Sequence, residues 1–274
     1  MHNRVLSVHT RRQHSGFTLV EMVTVIIILG ILAVGVSSFI VLGTRIFIES
    51  TSVDQVLSQS RFAIERMTRE LRNALPNSIR VTPASTTYQC IEYVPIMSSA
   101  SYLQLPIAPG EAAANGSIMQ PSQAIDETHK MMVYPLTAAH VYGATPAETT
   151  GRMFDIKQVN GSLVEFHRAV RFDEASPQRR YFTVTGPVSY CFLASGEVRR
   201  YSGYHFSVAQ PSPAQMGAGV LMAENVVNNV ASDAPIRYTP GTLMNNAVVQ
   251  LSPLFEVNGQ TFQYQHQVQV INVP

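Results

Sequence analysis

From Met22 to Thr44 the chain carries no charged side chain: MVTVIIILGILAVGVSSFIVLGT. As a helix rising about 1.5 Å per residue, such a run spans the roughly 30 Å hydrocarbon core of a bilayer. A helix laid on a soluble core keeps one polar face, and this run has none. Ahead of it, residues 1–16 hold Arg4, Arg11 and Arg12 and no acid. Three readings of this N-terminus compete. A secretory signal peptide is basic, then apolar, then cut after small residues, and Ala33-Val34-Gly35 offers such a site. Against it, the apolar run continues to residue 44 and Glu21 intrudes near its start. An uncleaved single-span anchor needs only the run itself. A short basic leader, cut on the cytoplasmic side of a span that is kept, explains most. The basic tail stays inside the cell, small Gly16 precedes aromatic Phe17, and one carboxylate, Glu21, stands just within the apolar run.

A charge at the centre of a membrane helix costs about 2.5–3.5 kcal/mol on insertion scales, and ionisable groups there are functional by default. Glu21 therefore needs a partner. Cleavage between Gly16 and Phe17 frees an amine one helical turn from Glu21, on the same face of a continuous helix. A neighbouring subunit offers the same amine.

Beyond Arg45 the pattern turns amphipathic. Val53, Val56/Leu57, Ser60, Ile64, Met67, Leu71 and Leu75 recur every three or four residues. Arg61/Glu65, Glu65/Arg69 and Arg66/Glu70 stand four apart, on a face expected to be wet. No proline interrupts residues 17–75, and Pro76 predicts the stop. The expectation is one helix of about 60 residues that starts in a membrane and ends against a sheet.

The remainder reads as strand and loop. Strands are expected at Tyr88–Pro95, Tyr102–Ile107, Met131–Tyr134, Phe154–Val159, Leu163–Arg168, Tyr181–Thr185, Val188–Leu193 and Glu197–Tyr201. Asn160-Gly161 marks a hairpin, and Pro240-Gly241 and Asn258-Gly259 mark turns. Segments 108–128, 137–151 and 209–219 read as loops, the last as flexible, and Val220–Val230 is ambiguous between helix and strand. Phe262 to Val270 alternates apolar with glutamine, which predicts one strand with a buried face that includes His266. The fold class expected is α+β: a long N-terminal helix, half transmembrane and half amphipathic, packed on an antiparallel sheet. The domain plan is a leader at 1–16, a transmembrane stem at 17–44, an amphipathic helix at 45–76 and a β-rich domain at 77–274.

Only 14% of residues are charged, well below the usual quarter. The net charge of +1 gives no field to draw nucleic acid. Arg179-Arg180 and Arg199-Arg200 could touch an anionic surface, but no stacking aromatics accompany them. Phosphate loops, nucleophile elbows and zinc motifs are missing from the sequence. His129, His140, His167, His205 and His266 show no ligand spacing. The pairs Asp126-Glu127 and Asp173-Glu174 read as solvated loop carboxylates before they read as a calcium site. No enzyme activity, cofactor or metal is expected. Cys90 and Cys191 are the only cysteines. That leader topology puts both in an oxidising compartment, which favours a disulfide over two buried thiols.

Gly16-Phe17-Thr18-Leu19-Val20-Glu21 followed by a full apolar span resembles the class III leader of type IV pilins and pseudopilins. The resemblance implies cleavage between Gly16 and Phe17 by a prepilin peptidase, N-methylation of Phe17, and docking of Glu21 against the N-terminus of a neighbour. Arg61–Arg80, Val188–Tyr201 and the closing HQVQVINVP resemble minor pilins of the J-type pseudopilin group, also described as PilW-like. This implies a low-abundance subunit of an MSHA-type pilus that helps prime assembly or forms the tip. The implied partners are prepilin peptidase, other minor and major pilins, and an inner-membrane assembly platform. The implied location is the inner membrane, N-terminus cytoplasmic and globular part periplasmic, and then the pilus. A type II secretion pseudopilin that recognises exported substrate is the alternative, and a tip adhesin or DNA-capturing pilin a third reading. Major pilins usually bend at a proline near the position of Ser38, and this chain lacks it.

Overall fold

The structure is a computed structural model that describes residues 16–83, 85–242 and 245–270. The leader up to residue 15 and the closing residues 271–274 lie outside the described residues. A long apolar N-terminal helix is followed by a β-rich domain, and the chain divides into two units between Ser52 and Val53.

The first unit is helical stem. Helix α1 (Leu19–Arg72) is continuous through its apolar run. Thr18 caps it: its Oγ1 accepts the Glu21 N–H at 3.3 Å. In its polar stretch α1 turns the expected face inward, burying Val56, Ser60, Ala63, Ile64, Met67, Thr68 and Leu71. It ends at Arg72, four residues short of the expected stop. Pro76 disfavours helical geometry at Leu75, whose N–H instead donates to the Val94 carbonyl at 2.7 Å.

The second unit is built around that amphipathic stretch. Its elements in order are β1 (Arg80–Val81), β2 (Tyr88–Tyr93), β3 (Ser98–Gln104), β4 (Ala113–Ile118), β5 (Lys130–Val133), α2 (Ala138–Tyr142), β6 (Thr150–Gly151), β7 (Met153–Asn160), β8 (Leu163–Phe172), β9 (Arg180–Val184), β10 (Val188–Leu193), β11 (Val198–Ser202), β12 (Val220–Ala223), β13 (Ile236–Thr239), β14 (Ala247–Leu251), β15 (Leu254–Val257), β16 (Gln260–Gln263) and β17 (His266–Val270). Strands β1-β2-β10-β11-β12 make one antiparallel sheet and β13-β14-β17 another. One apolar cluster joins them to the helix. Ala63, Ile64, Met67 and Leu71 gather with Ile91, Tyr93, Tyr190, Phe192, Val249 and Val268. Helix on antiparallel sheet is thus present, but it is not the whole domain.

The sequence gives no sign of the barrel. Strands β4-β3-β9-β5-β7-β8 follow one another, and a β4–β8 pairing closes the ring. Short β6 runs parallel beside β8. The lumen is packed with side chains. Phe154, Phe166 and Phe172 meet edge to face, the closest pair of rings 4.9 Å apart, among Ile118, Met131, Val164 and Tyr181. A seam of Leu75, Val94, Met132, Val141, Tyr142, Met153 and Phe182 forms a further core under α2.

Two loop expectations are corrected here. Segment 108–128 contributes β4, where Gly116 lets the backbone pass close to β3's end: an added Cβ would sit 2.6 Å from the Leu105 side chain. Segment 137–151 contributes α2, capped by Thr137, whose hydroxyl accepts the His140 N–H at 3.2 Å. Met216, within segment 209–219, is buried against the two cysteines. Val220–Ala223 resolves the ambiguous stretch as strand. The expected terminal strand is two strands: β16 pairs with β15, and β17 pairs with β14. The chain turns a corner at Tyr264-Gln265, and His266 lies exposed rather than in the core.

Candidate functional site

The stem is the feature that calls for a function. Its most apolar window has a mean hydropathy of 2.9, and none of it is buried. Leu19, Ile26, Phe39 and Phe47 are each more than half exposed, as are most large side chains between them. A continuous apolar surface of this size is not stable in water. It has to be covered by lipid or by other chains.

At its N-terminal end Gly16, Phe17 and Thr18 precede the helix outside any regular secondary structure, and Gly16 and Phe17 are exposed. The junction between them is therefore open to an approaching enzyme. Glu21 falls at the third residue of the helix, with Thr18 as cap. Thr-x-x-Glu is the spacing of a capping box, with Phe17 and Met22 at the positions of a hydrophobic staple. A carboxylate in the first helical turn also meets the positive end of the helix dipole, worth about 0.3–1 kcal/mol. Phe17 thus precedes the cap and lies outside the helix that carries Glu21.

Residues 11–37 match the prokaryotic N-terminal methylation motif. The chain carries the N-terminal signature of prepilin-like proteins. That signature includes Gly16, Phe17 and Glu21 and stops inside the apolar run, so it speaks for the leader junction and the stem. It also implies processing by a prepilin peptidase and assembly with pilin or pseudopilin partners. No curated protein and no solved structure matches the chain.

In the β-rich unit the sequence-derived candidates serve the fold. Cys90 and Cys191 form a disulfide between directly opposed residues of β2 and β10, with Cα atoms 4.1 Å apart. Both are fully buried beside Tyr201 and Met216. Arg199 pairs with Glu197, and Arg200 turns inward to Glu70. Asp126 closes its own loop by accepting the Thr128 N–H at 2.8 Å, and Glu174 pairs with Arg152. His129 is buried, its Nδ1 accepting the Asp126 N–H. Among the described residues no group of three or more His, Cys, Asp or Glu is placed to hold a metal.

Two carboxylates, half-buried Glu70 and fully buried Glu92, have roles that the sequence reading missed. Glu70 of α1 accepts the Tyr93 hydroxyl at 2.5 Å, Arg66 Nε at 2.9 Å and Arg200 Nε at 3.0 Å. Burial pushes its pKa up, but these hydrogen bonds from Tyr93, Arg66 and Arg200 outweigh it and hold the carboxyl below its ordinary value. Glu92, fully buried on β2, is held by Arg80 at 2.6 Å, and there burial dominates and raises the pKa. Arg80 also lies 3.6 Å over the Tyr142 ring and donates to the Ser207 and Val208 carbonyls. Glu70→Ala is expected to cost about 1–3 kcal/mol, because the buried Tyr93 hydroxyl and half-buried Arg200 lose their acceptor. The depressed pKa of Glu70 fixes the sign with pH. Its contribution is present above the ordinary glutamate value and is lost as pH falls through the lowered folded value. Urea unfolding of wild type and Glu70→Gln at pH 7 and pH 3 checks this: the difference between them should shrink in acid.

Proposed function

We propose that this chain is a minor pilin of an MSHA-type type IV pilus, cut after Gly16, N-methylated at Phe17, and held in the fibre by Glu21 docking on a neighbour's N-terminus. The observation that carries the reading is the methylation motif set on an uncovered apolar stem with one carboxylate in its first turn. Cleavage creates a cation at Phe17, and in lipid an ammonium and a carboxylate attract far more strongly than in water. Stems then bury their apolar surface against one another while the charges fix their stagger. The finer resemblance is to the MSHA-system minor pilin MshO. It is supported by Arg61–Arg80 and Val188–Tyr201, which lie on the end of α1 and on the β10–β11 hairpin, the two pieces of the helix-on-sheet core. The globular unit then stands on the periplasmic side, and the subunit helps to prime assembly or occupies the tip.

Mass mapping of the native N-terminus tests the reading: N-methyl-Phe17 is expected. A chain that begins at Met1, or one that has lost its whole stem, contradicts it. Glu21→Ala should be processed normally yet enter fibres poorly; normal incorporation would remove the docking role. Deletion of the gene should abolish surface pili with secretion intact, whereas the opposite pattern favours the secretion-type pseudopilin.

A further inference from the structure

On the outer side of α1, within the β-rich unit, a groove of about 560 Å³ runs between the helix and the Tyr264–His266 corner. Arg61, Arg69 and Arg72 line it. All three are exposed, and none makes an ion pair among the described residues. Glu65, the groove's one acid, stands four residues from both Arg61 and Arg69 and pairs with neither. The expected surface ion pairs of this helix face are thus unmade, apart from Arg66–Glu70. Ile64 and Tyr264 supply an apolar part of the wall. Thr68 lies between them and the arginines on the same helix, only 6% exposed, and its hydroxyl has no hydrogen-bond partner. A buried hydroxyl without a partner is uncommon and needs an explanation.

We propose that this groove receives a carboxylate-bearing segment of a neighbouring subunit, an inference that rests on the fibre-subunit reading above. The charge balance selects an acidic occupant, since three unpaired guanidinium groups face one glutamate. Guanidinium forks bind carboxylates with geometric specificity. Length selects a chain segment over a small anion. Arg61 and Arg72 are separated by about 16 Å along the helix at 1.5 Å per residue, more than one carboxylate bridges. The occupant therefore carries at least two acidic side chains, one for Arg61 and one for the Arg69/Arg72 end. An apolar side chain between them rests on Ile64 and Tyr264.

The full-length processed chain in detergent micelles can be tested with blocked, fluorescein-labelled peptides. Each carries two or three glutamates at varied spacing about a central leucine, alongside glutamine-for-glutamate counterparts. Glutamate peptides are expected to bind at least tenfold tighter than their counterparts in fluorescence anisotropy, with the preference shrinking at high salt. The double variant Arg69→Glu/Arg72→Glu should lose at least tenfold in affinity at a temperature where it is fully folded, its melting temperature falling by only a few degrees through the lost cations at the helix C-terminus. Equal binding of both peptide series, binding indifferent to the charge reversal, or no binding overturns the proposal. Vesicles of anionic phospholipid captured through the same arginines, with peptides ignored, would assign the groove to a membrane surface instead. The N-terminal mass separates the two readings. Methylated Phe17 with no peptide binding sinks the groove and leaves the pilin. Unprocessed Phe17 with arginine-dependent binding leaves an acidic-segment site without a fibre.

Discussion

Replacing Gly16 with tryptophan is expected to leave the chain at its precursor mass. The junction lies outside the helix and is exposed on both sides, so the substitution changes the residue offered to the peptidase without disturbing the helix that begins at Leu19. A site built for a small side chain rejects a larger one by roughly tenfold or more per added group of modest size. An indole should therefore reduce the processed fraction to near nothing. The comparison is one of masses in isolated membranes, wild type against variant. A variant that still loses its first sixteen residues would move the cleavage site elsewhere. Gly16→Ala serves as the control, because alanine stays small and should be cut.

The second large effect is expected from the disulfide. Cys90 and Cys191 close a loop with a sequence separation of 101. In the chain-entropy account a loop of about 100 residues is worth about 4–5 kcal/mol through restriction of the unfolded chain. The double variant Cys90→Ala/Cys191→Ala is expected to lose that amount, seen as a melting temperature lower by roughly 10–15 °C for a domain of this size. Strand pairing should survive, because β2 and β10 share a full antiparallel register from Val188↔Tyr93 to Leu193↔Tyr88. Adding reductant to the folded wild type should have little effect, since both sulfurs are buried. A double variant that melts within 3 °C of wild type, on the ~2–4 °C per kcal/mol scale, would show that the ladder alone holds this part of the sheet.

The parts of the fold that were legible are those where local chemistry decides. An uncharged run leaves a helix few alternatives. Asn160-Gly161 closes the β7–β8 hairpin, with Gly161 at φ 61°. Asn258-Gly259 does the same for β15–β16, with φ of 50° and 76°. The barrel was not legible because its closing strand, AANGSI, has almost no side-chain preference for sheet. Its pairing partners are chosen by what lies on either side. The corner at Tyr264 was hidden for a different reason. Alternation reports which way side chains point, and it continues through a change of partner strand. Position four from Arg66 identified Glu70 as a surface ion pair, but no local pattern shows that Arg200, far along the chain, turns inward to meet it. At the N-terminus the residues of the site were readable, and their relation was not. Thr18 takes the cap, which places Phe17 ahead of the helix.

A closed cylinder of strands has a further consequence. Open sheets end in rows of unsatisfied amides, which carry the hazard of strand-to-strand adhesion. The β4–β8 closure gives each of the six barrel strands two neighbours. The ring therefore has fewer open edges than a flat sheet of the same strands, which lowers its tendency to add strands from another chain.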